Sequence, residues 1–366
     1  MSDDQVPTTA GAQEPEATGG KPANEKHAKE KKSARGSFVG VPVPVSSPAL
    51  GSGVVLMGGY IFSFTRKDTI SPPSVLGAAG LITDNGSRGL AAGTELYFNK
   101  DRYHVITGYA RALLNYDFYG TGTSAGNAGR KFGLKQNVDA FLGEVTRRLF
   151  WHIFIGPRLL LGTTTLAPQH FGERLPQLPS LNVNFDLRSL GLNVERNTTT
   201  NRFYPVGGTS GKFTADFFDQ GLGSTFTFQT YRATFNVYQT LAKNQVLAYN
   251  AYICATGGAA PFFGKCIFGT NNELRGYTAA RYIDRDMFAG QIEYRVSLPW
   301  RLGAAAFAGL GQVAPSFTAF TFDNLLPSIG GGPRFQLSTK YHVNLRADFA
   351  QGKNGHTFSM GLGEAF

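Results

Sequence analysis

Residues 271–277 read NNELRGY and set an acid, a base, a glycine and an aromatic side by side. Arg275 can donate a planar fork of hydrogen bonds to a carboxylate, which ties two chain segments together. Gly276 tolerates positive φ, so the chain can turn sharply beside the arginine. Tyr277 adds a ring with a polar tip, and Leu274 completes a four-residue unit whose chemistry is docking rather than bond cleavage. The chain's two cysteines, Cys254 and Cys266, fall just before it. In an oxidising compartment they would close a short loop at its base; the other reading is two free thiols.

Little else in the chain suggests reaction chemistry. GTSAG, 122–126, has the Gly-x-Ser-x-Gly form of a nucleophile elbow, which needs a strand before it and a helix after it. No helical pattern follows here. The histidines, His27, His104, His152, His170, His342 and His356, show no metal-ligand spacing. No phosphate loop or dinucleotide fingerprint is present, so no cofactor, metal or enzymatic activity is expected. The net charge of +10 includes six basic residues of one tail, Lys21, Lys26, Lys29, Lys31, Lys32 and Arg35. That distribution describes a solvated tail rather than a nucleic-acid surface.

The elements that position the docking unit follow from composition and period. Charged residues are 16% of 366, and there are 46 glycines, 30 phenylalanines and 15 tyrosines. No apolar run is long enough for a membrane-spanning helix. Residues 1–35 are nearly devoid of apolar side chains and are expected to be a disordered periplasmic tail. The opening MSDDQVPTTAGAQEPEATGG shows no signal peptide in this numbering. From Gly36 to Phe366 the pattern changes to short segments of period two. In 226–240, Thr230, Arg232, Thr234 and Asn236 share one parity and Tyr231, Ala233, Phe235 and Val237 the other. The same alternation sets Gln291, Glu293 and Arg295 against Ile292, Tyr294 and Val296. It also sets Lys212, Thr214 and Asp216 against Phe213, Ala215 and Phe217, and His342, Asn344, Arg346 and Asp348 against Val343, Leu345, Ala347 and Phe349. One face suits a wet lumen and the other lipid, and backbone in lipid must be fully paired, so the sheet must close.

Sixteen strands are expected, near 37–46, 53–64, 74–84, 89–98, 103–118, 135–147, 153–166, 187–198, 211–219, 226–240, 246–255, 287–298, 301–313, 330–339, 342–351 and 356–366. Short turns at 99–102, 148–152, 241–245, 299–300 and 340–341 fall on one side. The longer gaps 120–134, 167–186, 256–286 and 314–329 fall on the other, as in outer-membrane barrels. The predicted fold is all-β: a 16-stranded antiparallel transmembrane β-barrel over 36–366, in the bacterial outer membrane among its lipids and lipopolysaccharide.

With LRGY in the loop between the eleventh and twelfth strands, the chain resembles the BamA/TamA-like outer-membrane assembly and two-partner secretion superfamily, the bacterial surface antigen barrels. That family carries a (V/I)RG(F/Y) tip on a loop folded into the lumen, matched by Leu274, Arg275, Gly276 and Tyr277. RNTTTNRFYPVGG, 196–208, is similar to its periplasmic turn, with Asn201, Pro205 and Gly208 in place. FAGLGQV, GGGPRF and LRADFA resemble later strands, and GLGEAF its C-terminal strand ending on an aromatic, here Phe366. Two departures matter. The family often places an aspartate opposite the loop arginine where this chain has Gly309, so another acceptor is required; parity nominates Asp348 and Glu293. The family's periplasmic POTRA repeats have no counterpart in the 35-residue tail, so a periplasmic partner, docked through that Lys-rich tail, is expected to receive clients.

SFVGVPVPVSS, 37–47, must close on the last strand. Pro42 and Pro44 lack N–H donors and belong at a sheet edge, and Gly361 and Gly363 loosen the opposite side. The seam ending at Phe366 is therefore expected to be weak. In the family this seam is the lateral gate for client strands, which implies protein insertion or translocation. The alternative reading keeps only the barrel, as a passive channel or a structural surface antigen. Interior charges such as Arg346 and Asp348 are expected to be solvated.

Overall fold

The computed structural model describes residues 36–47, 51–65, 67–169, 182–269 and 273–366. The tail 1–35 lies outside the described residues, as do Asn271 and Asn272. The strands, in chain order, are β1 (Gly36–Ser47), β2 (Gly51–Phe62), β3 (Ser74–Thr83), β4 (Arg88–Phe98), β5 (Tyr103–Phe118), β6 (Phe132–Arg148), β7 (Ile153–Pro168), β8 (Val183–Asn197) and β9 (Gly208–Phe218). They continue with β10 (Phe228–Ala242), β11 (Gln245–Gly258), β12 (Cys266–Ile267), β13 (Ile283–Asp284), β14 (Asp286–Ser297), β15 (Leu302–Ala314), β16 (Leu326–Ser338), β17 (Val343–Gly352) and β18 (Gly355–Leu362).

Among the described residues, sixteen strands form one closed antiparallel barrel in which β11 pairs with β14 and β18 meets β1. The two-residue strands β12 and β13 pair with each other inside the long loop. The expected strand count and order are those observed. Two boundaries differ informatively. β16 begins at Leu326 rather than near 330: Pro327 punctuates the sequence, yet it stands in register opposite Leu310. The last strand ends at Leu362 rather than 366, because Gly363 takes φ +78 and turns the chain out of the sheet.

The faces follow the alternation. On β14, Gln291, Glu293 and Arg295 are buried inside while Ile292 and Tyr294 are exposed outside; on β17, Arg346 and Asp348 are buried while Phe349 is exposed. Exposed Phe235, Leu190, Phe213 and Ile329 continue the lipid-facing surface. The wall around β6–β10 is braced by ions: Arg158 bonds Asp216 at 2.7 Å and contacts Glu144, which Lys212 meets at 3.0 Å. The sector β1–β4 departs from this rule. Phe38, Leu56, Leu76, Ile82 and Leu90 are exposed outside, yet the alternate positions Val39, Val43, Met57, Ile61 and Val75 are apolar too.

Two short turns at the periplasmic rim carry Trp151–His152 and Trp300–Arg301, all at positive φ, as two-residue hairpins whose twist matches the sheet require. Their indoles are 80% and 89% exposed. At the opposite rim the stretch 122–126 is not the plain loop expected: it begins the short helix α1 (Thr123–Ala128). This helix packs on the long loop and on β15, with Gly122 N donating to Ile283 O of the loop at 2.8 Å and Thr123 Oγ1 to Val313 O of β15 at 2.8 Å. Ser124 is exposed, so the elbow-like motif is a docking helix.

Candidate functional site: the lumen loop and the first–last seam

The tip Leu274–Tyr277 is wholly buried, and its partners are inward-facing wall residues. Arg275 Nη1 lies 2.6 Å from Glu293 Oε2 on β14 and 2.9 Å from Asp348 Oδ2 on β17. Its Nε donates to Gln291 Oε1 at 3.1 Å, and its guanidinium carbon stands 3.4 Å from the centre of the Phe307 ring on β15. The Arg275 carbonyl accepts from Ser328 Oγ. One residue thus reaches four strands. The two carboxylates nominated by parity are the ones beside it.

Glycine is required at two points. Gly276 has φ +98, and a Cβ there would lie 3.1 Å from the Gln351 and Gly352 backbone; its N–H donates to Thr357 Oγ1 at 3.1 Å. Gly309 leaves room for the loop: a Cβ would lie 2.6 Å from Leu274 Cδ1. An aspartate at 309 would collide with the tip, so the departure from the family pattern and the choice of Glu293 and Asp348 are two sides of one arrangement. Tyr277 Oη donates to Pro327 O at 2.5 Å, and its ring meets Phe268 and Tyr282 edge-on. Cys254 on β11 and Cys266 on β12 form a disulfide that anchors the loop base. Replacing both with serine is expected to lower stability by about 2–3 kcal/mol, the range for a cross-link closing a short loop. A urea-unfolding midpoint measured without reductant checks this.

The interior charges are not solvated, contrary to the expectation for Arg346 and Asp348. Asp348 also binds Arg334 Nη1 at 2.7 Å and Arg346 Nη1 at 2.9 Å, and Glu293 binds Arg295 Nε at 2.5 Å. Glu364 receives Arg334 Nε at 2.8 Å. All of these side chains are buried, because the loop and the chain end cover them. Phe366 is part of that cover rather than of the seam: beyond Gly363 the chain turns inward, and the Phe366 main-chain oxygen accepts from Arg295 Nη2 at 2.7 Å. The Arg275 and Arg295 guanidiniums stand 5.8 and 5.4 Å from its ring. Arg295, Arg334, Glu364 and Phe307 were not singled out in the sequence for this network; the parity that nominated Glu293 also marks Arg295.

The segment 198–207 crosses the periplasmic mouth. Asn201 Oδ1 accepts from Phe203 N at 2.8 Å and Tyr204 N at 3.0 Å, fixing a tight turn before buried Pro205. Gly208, at φ +95, lies where a Cβ would meet Thr198 O at 2.3 Å. Arg202 binds Glu95 and Tyr97 on β4, and burial pushes its guanidinium down to about 10, still charged at neutral pH. Tyr204 Oη meets Ser297 Oγ at 3.0 Å on β14. The strap therefore ties β4 to β14.

The seam itself is nearly unpaired. β1 and β18 share one registered pair, Ser46 with Phe358, whereas β5 and β6 pair from Tyr103–Arg147 through Phe118–Phe132. The β1–β2 register runs unbroken through Pro42 and Pro44. Residues two apart direct their main-chain groups to the same neighbour, so both missing donors are missing from the β18 side. With Gly363 turning the end of β18 inward, the periplasmic part of the seam has no ladder. Gly361 stays in the sheet opposite Arg346.

Comparison with curated proteins found no match. Among solved structures, BamA from Haemophilus ducreyi lacking POTRA domains 1–3 is similar at TM-score 0.58 and 14% identity, over 90% of this chain and 69% of that one. CdiB from Escherichia coli is similar at TM-score 0.59 and 13% identity, over 89% and 62%. CdiB from Acinetobacter baumannii is similar at TM-score 0.55 and 11% identity, over 89% and 59%. At these identities the likeness is one of fold, and the chain spans only 59–69% of those structures' lengths. The Omp85 superfamily domain, however, matches residues 85–366. A closed sixteen-stranded barrel, an arginine-tipped loop inside it and that match over most of the sequence identify the chain as a member of the Omp85 superfamily of outer-membrane protein assembly and translocation barrels.

Proposed function

We propose that this barrel assists client proteins into or across the outer membrane by opening laterally between β1 and β18. The observation that carries the reading is the seam: one registered pair where neighbouring strands have continuous ladders. Each ladder bond removed lowers the work of separating two strands, so thermal opening is concentrated at this site. The lumen supports a lateral rather than an axial path, because the loop tip and the 198–207 strap occupy the interior and mouth. The Arg275 network holds β14–β17 rigid beside the moving edge. The reading includes no catalytic step. Its partners are unfolded client strands, a periplasmic protein that delivers them, and the surrounding lipid and lipopolysaccharide. Insertion of an unfolded outer-membrane barrel into liposomes containing the purified chain tests it. Acceleration over empty liposomes supports the proposal, and no acceleration refutes it.

The membrane position has a direct optical reading. Trp151 and Trp300 are the chain's two tryptophans, and both sit at exposed periplasmic turn tips. Aromatic residues at a barrel rim settle at the lipid headgroup level. Lipids brominated near the glycerol are expected to quench the emission strongly, and lipids brominated at the chain end weakly. Equal quenching by both would contradict this placement.

A further inference from the structure

The apolar inner face of β1–β3 and of β4 as far as Gly93, short of the Glu95 that binds Arg202, is not explained by a water-filled lumen. Elsewhere the inner wall carries Glu144, Asp216 and Glu293, with Arg158 bound to the first two. Here it bounds a cavity of about 380 Å³ lined by Val39, Met57, Ile61, Val75, Ala79 and Ala91. Across the cavity stands Leu362, and Phe203 of the strap also lines it. Leu362 shares its face of β18 with Phe358, which is exposed on the lipid side. Following that face past Phe358 leads from the outer surface of the barrel into the cavity, behind the part of the seam that no ladder closes.

Water gains nothing in such a space, since it needs two to four polar partners, and a dry apolar cavity of ~150 Å³ already accommodates benzene. We propose that this wedge is a binding site for a hydrocarbon chain of a bilayer lipid, admitted through the unpaired part of the β1–β18 seam. The occupant is set by continuity: the wedge is an extension of the lipid-facing surface, and its lining offers contact to methylenes along its length. An acyl chain there would line the inner face of β1–β4 as lipid lines the outer face. The sector would then be solvated by hydrocarbon on both sides, consistent with its double-sided apolar sequence. The site stands apart from client handling, and its test uses no client.

The test is photolabelling of the full chain in vesicles of phosphatidylethanolamine and phosphatidylglycerol. A phospholipid with a diazirine in one acyl chain is the probe, and adducts are mapped by mass spectrometry. Inward-facing Met57 and Val75 are expected to be labelled along with outward-facing Leu56 and Leu76. Ala79→Phe, which fills the wedge, is expected to abolish the inward adducts and leave the outward ones. Ala91→Leu provides a second filling should the first prevent folding, and the mobility of unboiled protein on a gel reports a closed barrel. Adducts confined to the outward face of a folded barrel would overturn the proposal. So would inward positions that react, as cysteine variants, with a water-soluble thiol reagent as fast as exposed turns.

Discussion

Replacing Arg275 with alanine is expected to cost about 3 kcal/mol of barrel stability, the low end of the range for breaking a buried ion pair. The low end applies because Arg295 still faces Glu293, and Arg334 and Arg346 still face Asp348. Asp348→Asn should cost more than the arginine change. Three guanidiniums, those of Arg275, Arg334 and Arg346, converge on that one carboxylate, and neutralising it leaves like charges buried together. Arg275→Lys should fall between wild type and alanine, since a single ammonium keeps the charge but lacks the fork that reaches Gln291 as well as the acids. Urea midpoints read from gel mobility give the order, and planar-bilayer recordings should show wider openings for the alanine variant as the loop leaves the lumen. A change of under about 1 kcal/mol, the scale of an exposed pair, would mean that the loop tip is not held by this network.

A disulfide across the seam is expected to have the largest functional effect. Ser46→Cys with Phe358→Cys joins the one registered β1–β18 pair. Oxidised, this variant should lose client insertion to the level of empty liposomes, and reductant should restore it. Wild type treated with the same reductant separates out any contribution of the Cys254–Cys266 bond. An oxidised variant that inserts clients at the wild-type rate would exclude opening at that pair. A passive channel would instead retain its conductance with the seam locked.

Most of the strand order was legible because lumen and lipid demand opposite chemistry of alternate residues, as in 226–240 and 342–351. Parity sufficed even to nominate Glu293 and Asp348. It failed where the two faces do not differ: in β1–β3, and in β4 as far as Gly93, the inner and outer positions are mostly apolar, so the sequence marks strands without marking a lumen. The interior charges read as wet because alternation says which way a side chain points but not what covers it. Their burial depends on a loop tip and on Phe366, each brought back from a distant part of the chain. Gly363 was the available signal that the last strand stops early, since a glycine between the strand and the last three residues, Glu364–Phe366, permits the positive φ that turns the chain inward. The neighbours of Arg275 on other strands, Phe307 and Ser328, carry no mark in their local sequence.

The central claim is that the β1–β18 seam opens when the barrel works. Ketone-coupled spin labels in place of Gly40 in β1 and Met360 in β18, positions that share the outward faces of Phe38 and Phe358, allow pulsed distance measurement in liposomes. On addition of an unfolded client barrel, a second, longer distance population is expected, and it should vanish in the oxidised seam variant. Client insertion at the normal rate with one unchanged distance population would contradict the account.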